Sequence, residues 1–342
     1  MKVGVEQAST PAGESLATLS TTGNGAALSP RQHKGLNGKS TGQEVEGAEL
    51  DRLKELLANL GRVVVAFSGG ADSSLLAWVA TRVLGRDSVL CVTACSPSLP
   101  LEEEEHCEAL AAEWNLRWKA VPTSELEAEG YVRNGPDRCF HCKTELMAVL
   151  LPEARMERAV VALGVNLDDL GDIRPGQEAA ASLGAVFPLL EAGFTKDLVR
   201  KVSRYLGLRT WDKPAAACLA SRIPHGTPVS VEVLSRVQRS ESALRRLGFS
   251  QVRVRHYDDA ARVELLLEDL ERAVLCREEI VCALHSAGYR YVTLDLEGFR
   301  SGNLAQAPGE PMSPPYFESS RPGNLRREDP ELISERAGLR WG

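Results

Sequence analysis

"VVVAFSGGADSSLLAW", residues 63–78, decides the fold of this chain. It opens with an unbroken apolar run, Val63 to Phe67, which has no polar alternation and so reads as a strand buried on both faces. It closes with an apolar segment of helical character, and between the two lie Ser68, Gly69, Gly70, Ala71, Asp72, Ser73 and Ser74. Two glycines let the backbone turn tightly and bring amide N–H groups toward a ligand, and the following helix adds the partial positive charge of its N-terminus. The segment is an anion cradle. It lacks the G-K-[ST] ending of a Walker loop and the G-x-G-x-x-G of a dinucleotide fold, which excludes both of those phosphate sites.

Working outward, "ELDRLKELLANL" is an amphipathic helix before the strand, and "SLLAWVATRVLG" is the helix after it. Then follow "SVLCVTA", an acidic helix around "EEEEHCEALAAEW", "RWKAVP", a helix around "KTELMAVLLPEAR", "AVVALGV" and "AVFPLL". Short apolar strands alternating with helices of ten or more residues predict a doubly wound parallel α/β sheet covered on both faces. After about Pro228 the order becomes helix "VEVLSRVQRSESALRRLG", strands "QVRVRHY" and "ARVELLL", helix "DLERAVLCREEIVCALHSAG" and strand "YRYVTLDL", a smaller α+β domain. The expected division is a disordered tail over 1–46, an α/β domain over 47–227, an α+β domain for substrate binding or oligomerisation over 228–306 and a flexible tail over 307–342. A transit peptide is the alternative for the first segment, which lacks the arginine-rich amphipathic character of one.

The 342 residues, 43% hydrophobic, suffice for a full core and about two domains of ordinary size. A formal net charge of -7 argues against a broad electrostatic grip on nucleic acid or an anionic membrane. No apolar run approaches the roughly 20 residues of a membrane span, and the expected location is the cytosol. The eight cysteines are scattered through a long chain and are read as thiols.

Three further stretches carry chemistry. "ALGVNLDDLGDIRPG" ends an apolar strand with Asn166, Asp168, Asp169, Asp172 and Arg174, which belong at the carboxyl edge of the sheet beside the glycine-rich loop. Lys143 and Lys196 are candidate clamps on a phosphate ligand. "DRCFHCK" sets Cys139 and Cys142 as a C-x-x-C with no second such pair nearby, and "TWDKPAAACLASRIPHGTPVS" sets Cys218 among small residues, followed by Ser221, Arg222 and His225. A thiolate beside a guanidinium is a better nucleophile or metal ligand. In "QVRVRHY" the alternation puts Arg253 and Arg255 on one face, where an anion carrying phosphate and carboxylates would relieve their repulsion. Glu241, Arg222, Arg300 and Ser301 are further candidates for that substrate pocket.

S-G-G-x-D-S after a first strand resembles the PP-loop of the N-type ATP pyrophosphatases, whose fold is that of the adenine nucleotide alpha hydrolases. The resemblance implies that Ser68, Gly69, Gly70, Ser73 and Ser74 hold ATP phosphates, with Asp72 near magnesium. R-C-F-H-C-K, G-V-N-L-D-D-L-G-D-x-R-P-G, W-D-K-P-A-A-A-C-L-A-S-R-I-P and the late "GFRSGNL" occur with that loop and in order, and over about Leu50 to Leu304 the chain resembles the LarE family. Those are ATP-dependent sulfur transferases of nickel-pincer nucleotide synthesis. The resemblance implies adenylation of a carboxylate on a pyridinium dicarboxylate mononucleotide, with ATP and Mg2+, and displacement of AMP by a sulfur nucleophile.

Family members differ in their sulfur source. In one kind a cysteine matching Cys218 gives up its own sulfur and becomes dehydroalanine. In the other, three cysteines hold a 4Fe-4S cluster that carries an exchangeable sulfide from an external donor. The presence of Cys139, Cys142 and Cys218 together points to the second kind. A zinc site completed by His141 or His225, and a redox disulfide between Cys139 and Cys142, are the alternatives for the C-x-x-C. A tRNA thiolase, an ammonia-using PP-loop ligase and a non-catalytic nucleotide-binding module are the competing functions. The acidic balance and the lack of a basic, aromatic-rich RNA module weigh against the first. A homo-oligomer paired through the α+β domain is expected.

Overall fold

In the computed structural model, which describes residues 41–170, 175–214 and 217–300, strand β1 (Val63–Ala66) sits within a four-stranded parallel sheet. The helices and strands follow in the order α1 (Thr41–Leu60), β1, α2 (Ala71–Leu84), β2 (Val89–Cys95), α3 (Leu101–Glu113), β3 (Trp118–Pro122), α4 (Glu129–Val132), α5 (Arg138–Glu157), β4 (Val160–Ala162), α6 (Pro175–Ser182), α7 (Pro188–Ala192) and α8 (Lys196–Tyr205). The sheet order is β3-β2-β1-β4, with Val63 opposite Val89 on one side and Val160 on the other. The strand order turns back at β1. A ligand crevice is expected at that switch point, outside the carboxyl ends of the strands.

Both faces of the sheet are covered, as an unbroken apolar strand requires. Val63 and Val65 pack with Leu53 and Leu57 of α1, Leu75 and Leu76 of α2, and Val199 and Val202 of α8. Val64 points the other way, into Met147 and Leu150 of α5 and Ala180 of α6. Each fully buried Val or Leu contributes roughly 1.5–3 kcal/mol of transfer free energy, so these two clusters fix the layers.

The second sheet follows helix α9 (Val231–Arg246) and contains β5 (Val252–Tyr257), β6 (Ala260–Leu265) and β7 (Tyr291–Leu294), with α10 (Leu270–Leu275) and α11 (Arg277–Ala287) between the last two strands. It is mixed: β5 and β6 are antiparallel, and β6 and β7 parallel. Val254, Val263 and Leu265 form its core with Leu244, Phe249, Ile280 and Leu284.

Three local expectations change. Helix α1 begins at Thr41, within the segment expected as tail. "AVFPLL" makes a single bridge, Val186 to Ala162, because Pro188 starts α7 instead of continuing a strand. The helix expected over "DLERAVLCREEIVCALHSAG" breaks at Cys276 into α10 and α11. The remaining residues of the expected tails lie outside the described residues.

Candidate active site

The turn after β1 is held by its own serines. Ser68 N donates to Ser73 Oγ at 3.2 Å, the two hydroxyls are 3.1 Å apart, and Ser74 N donates to Gly70 O at 3.0 Å. Gly69 has φ +65°, a left-handed conformation that a side chain would strain, and a Cβ there would also strike Cys107 Sγ. Ser74 Oγ is buried with no hydrogen-bond partner among the described residues. The loop ends at the N-terminus of α2, whose first-turn amides face the crevice. Gly164, just past β4, comes so close to the loop that a Cβ would lie 2.9 Å from Ser73 N.

The polar groups after β4 gather around Asp72. Asn166 Nδ2 donates to Asp72 Oδ1 at 3.0 Å, and Lys196 Nζ pairs with Asp72 Oδ2. Asp168 accepts from the backbone N of Lys196 at 2.5 Å, which ties the segment to the start of α8, and Asp169 accepts from Asn166 N at 3.2 Å. A cleft of about 190 Å³ follows the loop, lined by Ser68, Asp72, Ser73, Thr93, Lys143 and Gly164 among others. Lys143 thus lies on this cleft and also beside the thiols. Asp172 and Arg174 are outside the described residues.

Cys139 lies in the first turn of α5 and Cys142 about one turn further along it. Cys139 is exposed; Cys142 is half-buried and packs with Cys218, Tyr131 and Leu219 in a small apolar cluster. Burial, followed by the neighbouring charge of Cys218, pushes the Cys142 thiol up to about 12. Among the described residues no group of three His, Cys, Asp or Glu side chains is gathered in metal-binding geometry. His141 instead approaches Asp137 at 3.3 Å, and His225 Nδ1 lies 3.2 Å from Asn134 O.

Three buried guanidiniums grip the loop that carries Cys218. Arg222 Nη1 donates to Ala217 O at 2.7 Å and to Cys218 O at 3.1 Å, while its other nitrogens fork onto Glu241 at 2.8 and 3.1 Å. Arg255 donates to Ser221 O at 2.8 Å and forks onto Glu264, both bonds at 2.9 Å. Arg138 donates to Ala220 O at 2.8 Å and to Asn134 Oδ1 at 2.6 Å. The hydrogen bonds of Arg222 therefore hold Cys218 through its backbone carbonyl.

Arg253 differs. The carboxylate that relieves the expected repulsion between Arg253 and Arg255 is Glu264, and it takes Arg255; Arg253 has no carboxylate partner among the described residues, although it is only 8% exposed. It lies over the Phe299 ring at 4.4 Å. Burial, then the charges of Arg222 and Arg255, lowers its pKa to about 10. It lines a second cleft of about 190 Å³ with Lys213, Arg222, Arg245 and Gln251. Arg300 pairs with Glu297 near this region, and Ser301 lies outside the described residues.

Lys213 joins the two clefts. Its Nζ donates to Gly69 O of the glycine-rich loop at 3.2 Å and to Glu103 at 2.7 Å, and it lines the arginine cleft. Sequence reasoning passed over it, although it stands in the quoted "WDKPAAAC" run five positions before Cys218. Arg138, inside "DRCFHCK", was missed in the same way. A larger cavity, of about 720 Å³, lies among α1, α2 and α8 and touches none of these groups.

Such an arrangement can place a triphosphate at the loop, a second anion against Arg253, and a thiol beside both. Residues 50–133 match the NAD synthase family. An NH(3)-dependent NAD(+) synthetase of Methanococcus aeolicus is 29% identical over 44% of this chain and 61% of its own. An uncharacterized protein of Synechocystis is 44% identical over 75% of this chain and 97% of its own length. The pyridinium-3,5-bisthiocarboxylic acid mononucleotide synthase of Lactiplantibacillus plantarum is 38% identical over 72% of this chain and 90% of its own. With the PP-loop and the Asn166–Asp72–Lys196 cluster at the carboxyl edge of the sheet, and with that breadth of likeness, the chain belongs to the LarE family.

Proposed function

We propose that this protein is an ATP-dependent sulfur transferase that adenylates a carboxylate of a pyridinium dicarboxylate mononucleotide and replaces the AMP with sulfur to give a thiocarboxylate. The observation that carries the reading is Lys213, which bonds the phosphate loop at Gly69 O and lines the arginine cleft with Arg253. One cation reaching both sites suits a reaction between a nucleotide phosphate and a second anion.

In the first step a carboxylate oxygen attacks the α-phosphorus of ATP, an O–P bond forms, and the bond to the leaving pyrophosphate breaks. Ser68, Gly69, Gly70, Ser73 and Ser74 would cradle the phosphates with amides and hydroxyls. On arrival of Mg2+ and ATP, the Asp72–Lys196 pair would part, the carboxylate turning to the metal with Asn166, and the ammonium to the pyrophosphate. Lys143 would reach the same phosphates, and Asp168 and Asp169 would hold Lys196 and Asn166 in place. Charge stabilisation of this kind supplies most of the rate in phosphoryl chemistry. Arg253 would take the substrate phosphate or second carboxylate, with Arg300 nearby, while Arg222, Glu241 and Arg255 position the Cys218 loop. Substrate-dependent exchange of labelled pyrophosphate into ATP tests the reading; no exchange with the mononucleotide dicarboxylate would overturn it.

For the sulfur source we propose a 4Fe-4S cluster held by Cys139, Cys142 and Cys218. The donor chemistry suits it: three thiols, of which Cys142 and Cys218 both pack against the Tyr131–Leu219 cluster, and Cys139 is one helical turn from Cys142. When bound, the cluster would supply an exchangeable sulfide. The exposure of Cys139 and the lack of a gathered ligand trio among the described residues favour a second reading, in which Cys218 alone attacks and surrenders its sulfur. Anaerobic reconstitution with iron and sulfide separates them. Broad visible absorption lost in Cys139→Ala, Cys142→Ala and Cys218→Ala supports the cluster; no absorption in the parent leaves Cys218 as the donor.

A further inference from the structure

Tyr131, at the centre of the short helix α4, is 1% exposed, and its hydroxyl has no hydrogen-bond partner among the described residues. Its ring packs with Cys142, Cys218 and Leu219. The titratable groups facing the hydroxyl are Cys218, Glu125 and Cys142. Ser98 Oγ is the nearby alternative: it lies close enough to lower the phenol's pKa, and while it donates to Glu125 at 2.8 Å and lies 2.8 Å from Ser96 Oγ it keeps acceptor capacity, but it does not meet hydrogen-bond geometry with the Tyr131 hydroxyl. The surrounding frame is firm: Glu125 is 4% exposed and also accepts from Thr123, and Leu219 N donates to Ser98 O at 2.8 Å.

A buried phenol without a partner costs roughly 1–3 kcal/mol, and phenylalanine in its place would avoid that cost. The cost is explained if a partner arrives during turnover. We infer that the Tyr131 hydroxyl is a hydrogen-bond donor to the sulfur atom being transferred, holding it between Cys142 and Cys218 for attack on the acyl carbon. The inference rests on the sulfur-transfer reading above. As the C–S bond forms, the acyl C–O bond to AMP breaks and its electron pair leaves with AMP; where the sulfur is that of Cys218, its Cβ–S bond then breaks with the electron pair leaving on the thiocarboxylate and the Cα proton passing to solvent, which leaves dehydroalanine. Tyr131 keeps its proton, and no oxidant or reductant is consumed. The same contact serves a sulfur belonging to Cys218 or an exchangeable sulfide; dehydroalanine at position 218 after one turnover, seen by intact-mass analysis, marks the first source, and an unchanged cysteine the second.

The test is Tyr131→Phe in the full chain, charged with its sulfur source and given ATP and the mononucleotide dicarboxylate. The expected result is a fall of tenfold or more in the single-turnover sulfur-transfer rate relative to the pyrophosphate-exchange rate of the same protein, with a thermal midpoint equal to or above that of the parent. A transfer-to-exchange ratio equal to the parent's overturns the inference. So does a lowered midpoint, which would show that the hydroxyl already serves a structural partner such as a buried water. If the parent itself shows no exchange, the functional reading fails first, and with it the inference.

Discussion

Arg222 Nη1 donates to the Cys218 carbonyl at 3.1 Å, from a side chain 6% exposed and forked onto a Glu241 side chain that is fully buried. The loop that carries Cys218 is therefore anchored by a salt bridge to α9. Breaking a buried pair leaves an uncompensated charge, at a cost of about 3–5 kcal/mol. Arg222→Met should lower stability by that order in urea denaturation, and the double variant Arg222→Met, Glu241→Met should lose less than the sum of the two single changes. Strict additivity would mean that the pair does not act as a unit.

Arg253 should be separable from that anchor. Arg253→Met removes an unpaired buried cation, so the protein should remain at least as stable, while the KM for the mononucleotide rises about tenfold to a hundredfold and that for ATP holds, as loss of one charge-assisted hydrogen bond implies. Equal KM values for variant and parent would remove Arg253 from the substrate pocket.

The depressed pKa of Arg253, about 10, gives the same residue a pH signature. The protonated guanidinium binds the anion, so mononucleotide affinity is complete well below pH 10 and falls as pH rises through that value. For folding, the sign is opposite. The folded state holds this proton less tightly than the unfolded chain does, so its contribution to stability rises as the pH climbs above about 10. Affinity that is flat across pH 9–11 would argue against the guanidinium contact.

Lys213→Met should cut the pyrophosphate-exchange kcat by about 10²–10³, the range for removing one preorganised donor from a charged transition state, with a smaller change in KM for ATP. Loss confined to KM would mean that Lys213 only binds.

The thiols should divide by burial. Burial raises Cys91 to about 12 and Cys107 to about 11, and both are enclosed, whereas Cys139 and Cys282 are exposed. Iodoacetamide at pH 8, followed by peptide mass spectrometry, should label Cys139 and Cys282 first and leave Cys91 and Cys107 intact in the native protein. Early labelling at Cys107 would mean that the packing beneath Gly69 opens readily.

The strand at Val63–Phe67, the glycine-rich loop and the parallel sheet were legible in the sequence because they are local. An unbroken apolar run can only be buried on both faces, and a strand–glycine–helix junction presents amides whatever surrounds it. Asn166 was expected at the carboxyl edge of the sheet beside Asp72, because the ends of parallel strands meet at one edge, and the structure places it there. The role of each arginine was not legible. Arg222, Arg253 and Arg255 look alike in a sequence, and which of them keeps an unmatched charge depends on Glu241 and Glu264, which only the folding of α9 and β6 brings to two of the three. Lys213 and Tyr131 escaped for the same reason: the groups they meet, Gly69 O in one case and the Cys218 loop in the other, lie far along the chain, and only the tertiary structure decides which distant groups come together.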